Sequence, residues 1–274
     1  MEIKSLFKRL MANYKKEEDN PSSFFPPKSI IYSSYSIQGR KAKQEDDCLI
    51  WHDNRDSVVI VADGVGSHGH GDYASFVICH DVFEQKLILN GVGEDPMQFL
   101  KDTCYQAAQE VYRKSSSDPE FKNCGTTLTG FIYRKGVGYW TINVGDSRVY
   151  LIKPKERIVR QLTEDQTSDS QTRKMKYAIG QPPDYLRPNI EVYAWDEEQD
   201  LLQPGDALMA VSDGVCEPFE IPSEANPKIY TDKPEFWEFL YNLRYDENCA
   251  EKIVNNSYDA GSGDNITCAV MAIG

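Results

Sequence analysis

Four aspartates stand where apolar runs begin or end. Asp63 closes "SVVIVAD" (57–63), Asp213 closes "DALMAVSD" (206–213), Asp264 opens "DNITCAVMAI" (264–273), and Asp146 turns between "GYWTINVGD" (138–146) and "RVYLIK" (148–153). Short apolar runs bounded by turn residues read as strands. In a packed sheet the four carboxylates would therefore project at one edge of the core. Two unit charges 4 Å apart cost about 4 kcal/mol at an effective dielectric near 20, so such a nest needs protons or cations. Carboxylates, a carbonyl and water suit Mg²⁺ or Mn²⁺, whereas zinc would ask for His and Cys. Gly64 and Gly214 follow two of the acids and, lacking Cβ, allow a bend that sets a carbonyl beside the carboxylate. One Asp-Gly pair is a plain turn; the recurrence points to a site.

The elements that position these acids are mostly strands. "TTLTGFIYR" (126–134) joins the runs above, and links such as "RKGVG" and "VGDSR" are how antiparallel strands connect. The spacing predicts long helices over about 72–90 and 95–114, and shorter ones over 234–245 and 246–257, with Pro234 in a first turn and Asp246 as N-cap. Strands bunch around helices without strict alternation, which favours an α+β fold with antiparallel sheet.

The 274 residues suffice for one large domain, expected over residues 30–274. A net charge of −13 repels a phosphate backbone, which excludes nucleic acid as a partner. The seven cysteines lie singly, with no C-x-x-C pair, and read as small buried hydrophobes. There is no apolar run long enough for a transmembrane segment and no signal peptide, so a cytoplasmic location is expected. Residues 1–29 differ: Ile3, Leu6, Phe7, Leu10, Met11 and Tyr14 recur at helical spacing before a proline-broken linker. This amphipathic N-terminal helix is expected to dock on protein, its own domain or a partner.

In order along the chain stand "QEDD" (44–47), "VADGVGSHGHGDYAS" (61–75), "CGTTLTG" (124–130), "NVGDSRVYLI" (143–152), "QLTEDQT" (161–167), "AIG" (178–180), "LLQPGDALMAVSDGVCE" (201–217) and "GSGDNITCAVM" (261–271). Together they resemble the metal-dependent type 2C Ser/Thr protein phosphatases, especially compact bacterial-type members, over about residues 30–274. The resemblance implies a four-layer α-β-β-α sandwich of two antiparallel sheets flanked by helices, with two Mn²⁺ or Mg²⁺ ions at one end. It implies that Asp63 bridges both ions, Gly64 gives its carbonyl to one, and Asp213 and Asp264 bind the other. Glu45 and Asp46 would hold waters bound to the ions, and Asp146 with Asp213 matches a weaker third site. The implied reaction is hydrolysis of phosphoserine and phosphothreonine in proteins, by in-line attack of a water shared between two metals. The implied partners are phosphorylated proteins, plausibly a Ser/Thr kinase and its substrates.

The chain departs from the family pattern at three places. The usual phosphate-binding arginine falls at Lys41, with Arg40 just before it. Arg40 is preferred for its bidentate fork, and Lys41 is the alternative as a point charge. Val65 stands where some members carry a histidine. Only about ten residues, "SDSQTRKMKY", fill the space of the family's flap, so an open site is expected. The changed arginine position and the short flap support one alternative, a pseudophosphatase serving as a regulatory binding module.

Other chemistries fit less well. A zinc site on His68 and His70 would need two more ligands from His52, His80 or the cysteines, and the Gly-rich loop carries no Gly-Lys-Ser/Thr for a nucleotide. A Ser147 nucleophile would need a downstream histidine, yet all four histidines precede residue 81.

Overall fold

Alternating side-chain direction along the strands sets the layers. The computed structural model describes residues 29–65, 70–168, 174–197, 200–222 and 230–274, so the N-terminal helix and His68 lie outside the described residues. Its strands in chain order are β1 (Ile30–Ile37), β2 (Asp47–His52), β3 (Asp56–Ala62), β4 (Gly64–Val65), β5 (Gly125–Thr126), β6 (Leu128–Arg134), β7 (Gly138–Val144), β8 (Arg148–Lys153) and β9 (Ile158–Gln161). There follow β10 (Glu191–Trp195), β11 (Ala207–Val211), β12 (Glu220–Pro222), β13 (Tyr230–Asp232) and β14 (Ile266–Ile273). Two five-stranded antiparallel sheets result, in the orders β1-β14-β11-β8-β9 and β10-β7-β6-β3-β2.

In β3, Val59 and Val61 face the other sheet and join Phe131, Val149, Leu151, Leu208, Ala210, Ala269 and Met271 in the core between the sheets. Val58, Ile60 and Ala62 face the opposite way, against helices. Successive side chains on a strand point to opposite faces, so strands covered on both sides are buried at every position, as β3 and β14 are.

Helix α1 covers residues 71–90 but changes pitch: Gly71–Phe76 is α-helical, Val77–Glu84 π-helical and Gln85–Asn90 α-helical again. Helix α2 (Pro96–Ser117) starts with Pro96 in its first turn and Asp95 capping the Gln98 N–H. Short helices α3 (Pro183–Leu186) and α4 (Asp213–Cys216) follow. Helices α5 (Pro234–Asn242) and α6 (Cys249–Asp259) cover the first sheet through Phe236, Leu240, Ile253 and Val254. The expected four-layer α+β sandwich is the observed one.

Local expectations need correction. Helix α6 begins at Cys249 with Asn248 as N-cap; Asp246 instead accepts from the Asn248 N–H and pairs with Lys252 at 3.0 Å. Asp213 opens helix α4 rather than ending a strand. Residues 169–173 of the expected short flap lie outside the described residues; beside them Thr167 bridges Met175 and the Ser168 N–H donates to the Lys174 carbonyl at 2.7 Å.

The strands align their ends. β1 and β14 pair from Ile30↔Ile273 to Ile37↔Ile266, so the start of β14 and the loop after β1 share one pole. The Gly274 N–H donates to the Ser29 carbonyl at the other pole.

Candidate metal centre

Five separate segments deliver carboxylates to that first pole: Asp46 before β2, Asp63 after β3, Asp146 in the β7–β8 turn, Asp213 at the start of α4, and Asp264 before β14. Each lies within two residues of the beginning or end of a strand, so the sandwich itself gathers them. Asp63 is fixed through its backbone. Its N–H donates to Thr127 Oγ1 at 3.0 Å, and its carbonyl accepts from the Thr127 N–H and Thr126 Oγ1, each at 2.9 Å.

Close backbone approach completes the loop. A Cβ on Gly64 would lie 2.3 Å from the Glu45 carbonyl oxygen and 2.5 Å from the Gly71 carbonyl carbon. A Cβ on Gly214 would lie 2.0 Å from the Asn265 carbonyl oxygen. The two Asp-Gly pairs therefore serve close packing next to their acids. Glu45 braces the same region: its Oε1 accepts from the Gly71 N–H at 2.9 Å, and its carbonyl accepts from Ser75 Oγ at 2.6 Å.

The acids perturb one another. Burial pushes the Asp46 carboxyl up to about 7, with the charges of Asp213 and Asp264 adding to it. Both Asp46 oxygens are buried without a hydrogen-bond partner of standard geometry, although the Thr267 and Ser212 hydroxyls lie near enough to favour its ionised form. Asp63 retains some accessible surface, yet burial of its carboxyl, then the charges of Asp46, Asp213, Asp146 and Asp264, raise it well above the ordinary carboxylate range. A cation would relieve both costs at once.

The donors are all oxygen, they repel one another, and Asp46 has unspent acceptors in a buried position. That chemistry fits a hard divalent ion. Among the described residues no three His, Cys, Asp or Glu side chains stand as a finished metal-binding group; the acids converge without closing. Lys41 stands among them, its Nζ 2.8 Å from Asp264 Oδ2. The Asp264 hydrogen bond, then the Asp264, Asp213 and Asp63 charges, raise the Lys41 ammonium against the opposing effect of burial.

Arg40, the preferred member of the basic pair, is turned elsewhere. It donates to the Ser262 carbonyl at 2.7 Å and lies 5.1 Å over the Tyr258 ring. The geometry thus brings Asp46, Asp63, Asp146, Asp213, Asp264 and Lys41 together and leaves Arg40 on the C-terminal loop.

Asn265 carries a role that the sequence reading left unassigned. Its Nδ2 donates to the Gln38 carbonyl at 2.7 Å and the Lys43 carbonyl at 2.9 Å, and its Oδ1 accepts from the Glu45 N–H at 3.0 Å. It clips the 38–45 loop, and with it Lys41 and Asp46, to the start of β14. Its place beside Asp264 was the only signal in the sequence.

The rivals lose their geometry. Ser147 is fully buried, its Oγ 2.7 Å from Thr127 Oγ1, so it is no exposed nucleophile. His70 packs its ring 4.6 Å from Phe121, and His80 is bound by Glu84 and Asp47. No helix among the described residues is long and apolar enough to cross a membrane.

Comparison with known proteins shows the family and the fold. The family model described as protein phosphatase 2C matches residues 35–253. The serine/threonine phosphatase stp of Listeria monocytogenes is 28% identical over 248 residues, covering 85% of this chain and 92% of that protein. Among solved structures, the serine/threonine phosphatase Stp1 of Staphylococcus aureus superposes with a TM-score of 0.73 at 19% identity, over 92% of this chain and 98% of that one. The serine/threonine phosphatase PstP/Ppp of Mycobacterium tuberculosis superposes with a TM-score of 0.67 at 21% identity, over 89% and 98% of the two chains.

Proposed function

The chain belongs to the protein phosphatase 2C family, and from that membership together with its acidic pole we infer that it is a metal-dependent phosphatase of phosphoserine and phosphothreonine in proteins. The observation that carries the reading is the convergence of Asp46, Asp63, Asp146, Asp213 and Asp264 from five segments at one pole, where burial and mutual repulsion raise Asp46 and Asp63.

Two ions, Mn²⁺ or Mg²⁺, would be held by Asp63, the Gly64 carbonyl, Asp213 and Asp264, with Glu45 and Asp46 beside them. Asp146 with Asp213 would take a third, weaker one. Such ions supply Lewis acidity and a hydroxide-like nucleophile at neutral pH for in-line displacement at phosphorus.

The chain's own residues set the rest. Thr126 and Thr127 fix Asp63 from behind, and Asn265 holds the loop that carries Lys41. Lys41, half-exposed at the rim and already directed at the acids, is the cation placed to meet a phosphoryl oxygen. The partners are phosphorylated proteins, with a Ser/Thr kinase as the opposing activity.

The test is Mn²⁺-dependent hydrolysis of p-nitrophenyl phosphate and of a phosphothreonine peptide. Activity in the wild type, and a loss of roughly a thousandfold or more in Asp63→Asn with the fold kept by circular dichroism, is the expected result. Wild-type protein that binds Mn²⁺ yet turns over neither substrate would favour a regulatory binding module instead.

A further inference from the structure

Next to the acids lies a groove of about 590 Å³ whose lining residues include Asp46, His70, Tyr73, Phe76 and Phe121. Phe121 organises part of that lining, its ring 4.6 Å from His70 and 4.9 Å edge-on from Tyr73. Lys114 caps the same ring at 4.0 Å. Phe76 is 50% exposed. Its ring is not loose: it lies 5.0 Å from the His80 imidazole, which is itself held by Glu84 at 2.9 Å and Asp47 at 3.2 Å.

An aromatic side chain half in water, held in one orientation beside catalytic carboxylates, offers apolar area at little ordering cost. The groove and the acidic pole share Asp46. A substrate whose phosphoryl group reaches the acids can therefore lay neighbouring residues in the groove. The charges on the rim leave little for an acidic flank to gain, since Lys43 is engaged by Asp72 at 2.7 Å and Asp47 adds a further negative charge.

We propose that this groove is a specificity subsite for the substrate chain, taking a large apolar or aromatic residue within about three positions of the phosphoresidue, a span of roughly 10 Å in extended backbone. The proposal rests on the phosphatase reading and names its substrate class. Phe76 is the principal contact, with Tyr73 and Phe121 beside it in the lining.

The experiment uses the full-length chain with Mn²⁺ and a set of phosphothreonine peptides in an Ala/Ser background, each carrying one Phe at a different place within three residues of the phosphothreonine. The readout is kcat/KM for each Phe peptide divided by that of the Phe-free parent. At one or two positions the wild type should show a ratio of about five to ten, arising in KM, and Phe76→Ala should bring it close to one. A wild-type ratio near one at every position, or a preference that survives in Phe76→Ala, overturns the subsite and leaves the groove to a partner that is not a substrate. Failure of the wild type to hydrolyse any of the peptides would remove the phosphatase reading and the subsite together, a different outcome from hydrolysis without preference.

Discussion

Lys41 and Arg40 are neighbours with opposite surroundings, and the difference decides what each can do. A guanidinium bonded to the Ser262 carbonyl and stacked over Tyr258 would have to abandon both contacts to reach phosphate, whereas Lys41 already points at Asp264. Lys41→Ala should therefore lower kcat/KM for a phosphopeptide by about 10- to 100-fold. Arg40→Ala should leave it within a few-fold and cost about 1 kcal/mol of stability through the 258–262 loop. Steady-state kinetics beside urea melts separate the two, and the reverse pattern would return the phosphate to Arg40. Asp63, Asp146, Asp213 and Asp264 were legible in the sequence because each begins or ends an apolar run, whereas Asp46 was marked only by the family resemblance. This choice of cation was not legible, because no periodicity governs the 38–45 loop and its path is set by Asn265, more than 200 residues away in the chain.

Among the elements, the apolar strands were legible and the polar ones were not. β3, β6, β7, β8, β11 and β14 are buried along their length and announce themselves by composition. β1, "IIYSSYSI", exposes most of its polar positions as an edge strand, and β2 and β10 are edges of the second sheet, so weak hydrophobic signals accompany them. The π-helical middle of α1 had no sequence signature either. The junction between α1 and β4 is held by contact of two glycines: a Cβ on Gly71 would lie 2.4 Å from the Gly64 carbonyl carbon and 2.7 Å from the Val65 nitrogen. Backbone cannot yield as a side-chain tip does. Gly71→Ala should lower stability by about 1–3 kcal/mol and, by displacing Gly64 from Glu45, cut Mn²⁺-dependent turnover by at least about tenfold. A thermal melt together with a Mn²⁺ titration checks both effects, and an unchanged titration would show that the glycine contact does not shape the acidic pole.

For the whole molecule, the acidic pole sets how stability follows pH when metal is withheld. Asp46 titrates near 7 in the fold and near 3.8 as an ordinary carboxylate, so the folded state keeps a proton that the unfolded chain releases. Stability then falls as pH rises from about 4 to about 7 and levels off above. His80 acts in the same direction: burial lowers it, but Glu84 and Asp47 outweigh that and raise it, so its contribution is present below about 6.5 and is lost as pH climbs through its folded value. In chelator, Asp46→Asn should flatten the slope and stabilise the protein at about pH 7.5 by about 2–4 kcal/mol. Urea melts at about pH 5 and 7.5 would expose the opposite sign. The pairing of β1 with β14 has a separate geometric consequence. The backbone enters at Ser29 and departs at Gly274 side by side, an eight-residue strand, or about 25 Å, from the carboxylates. An anchor attached to the surface around Ser29 and Gly274 grips the far end of the sandwich, and a molecule held there on a bead or a scaffold turns its acids outward.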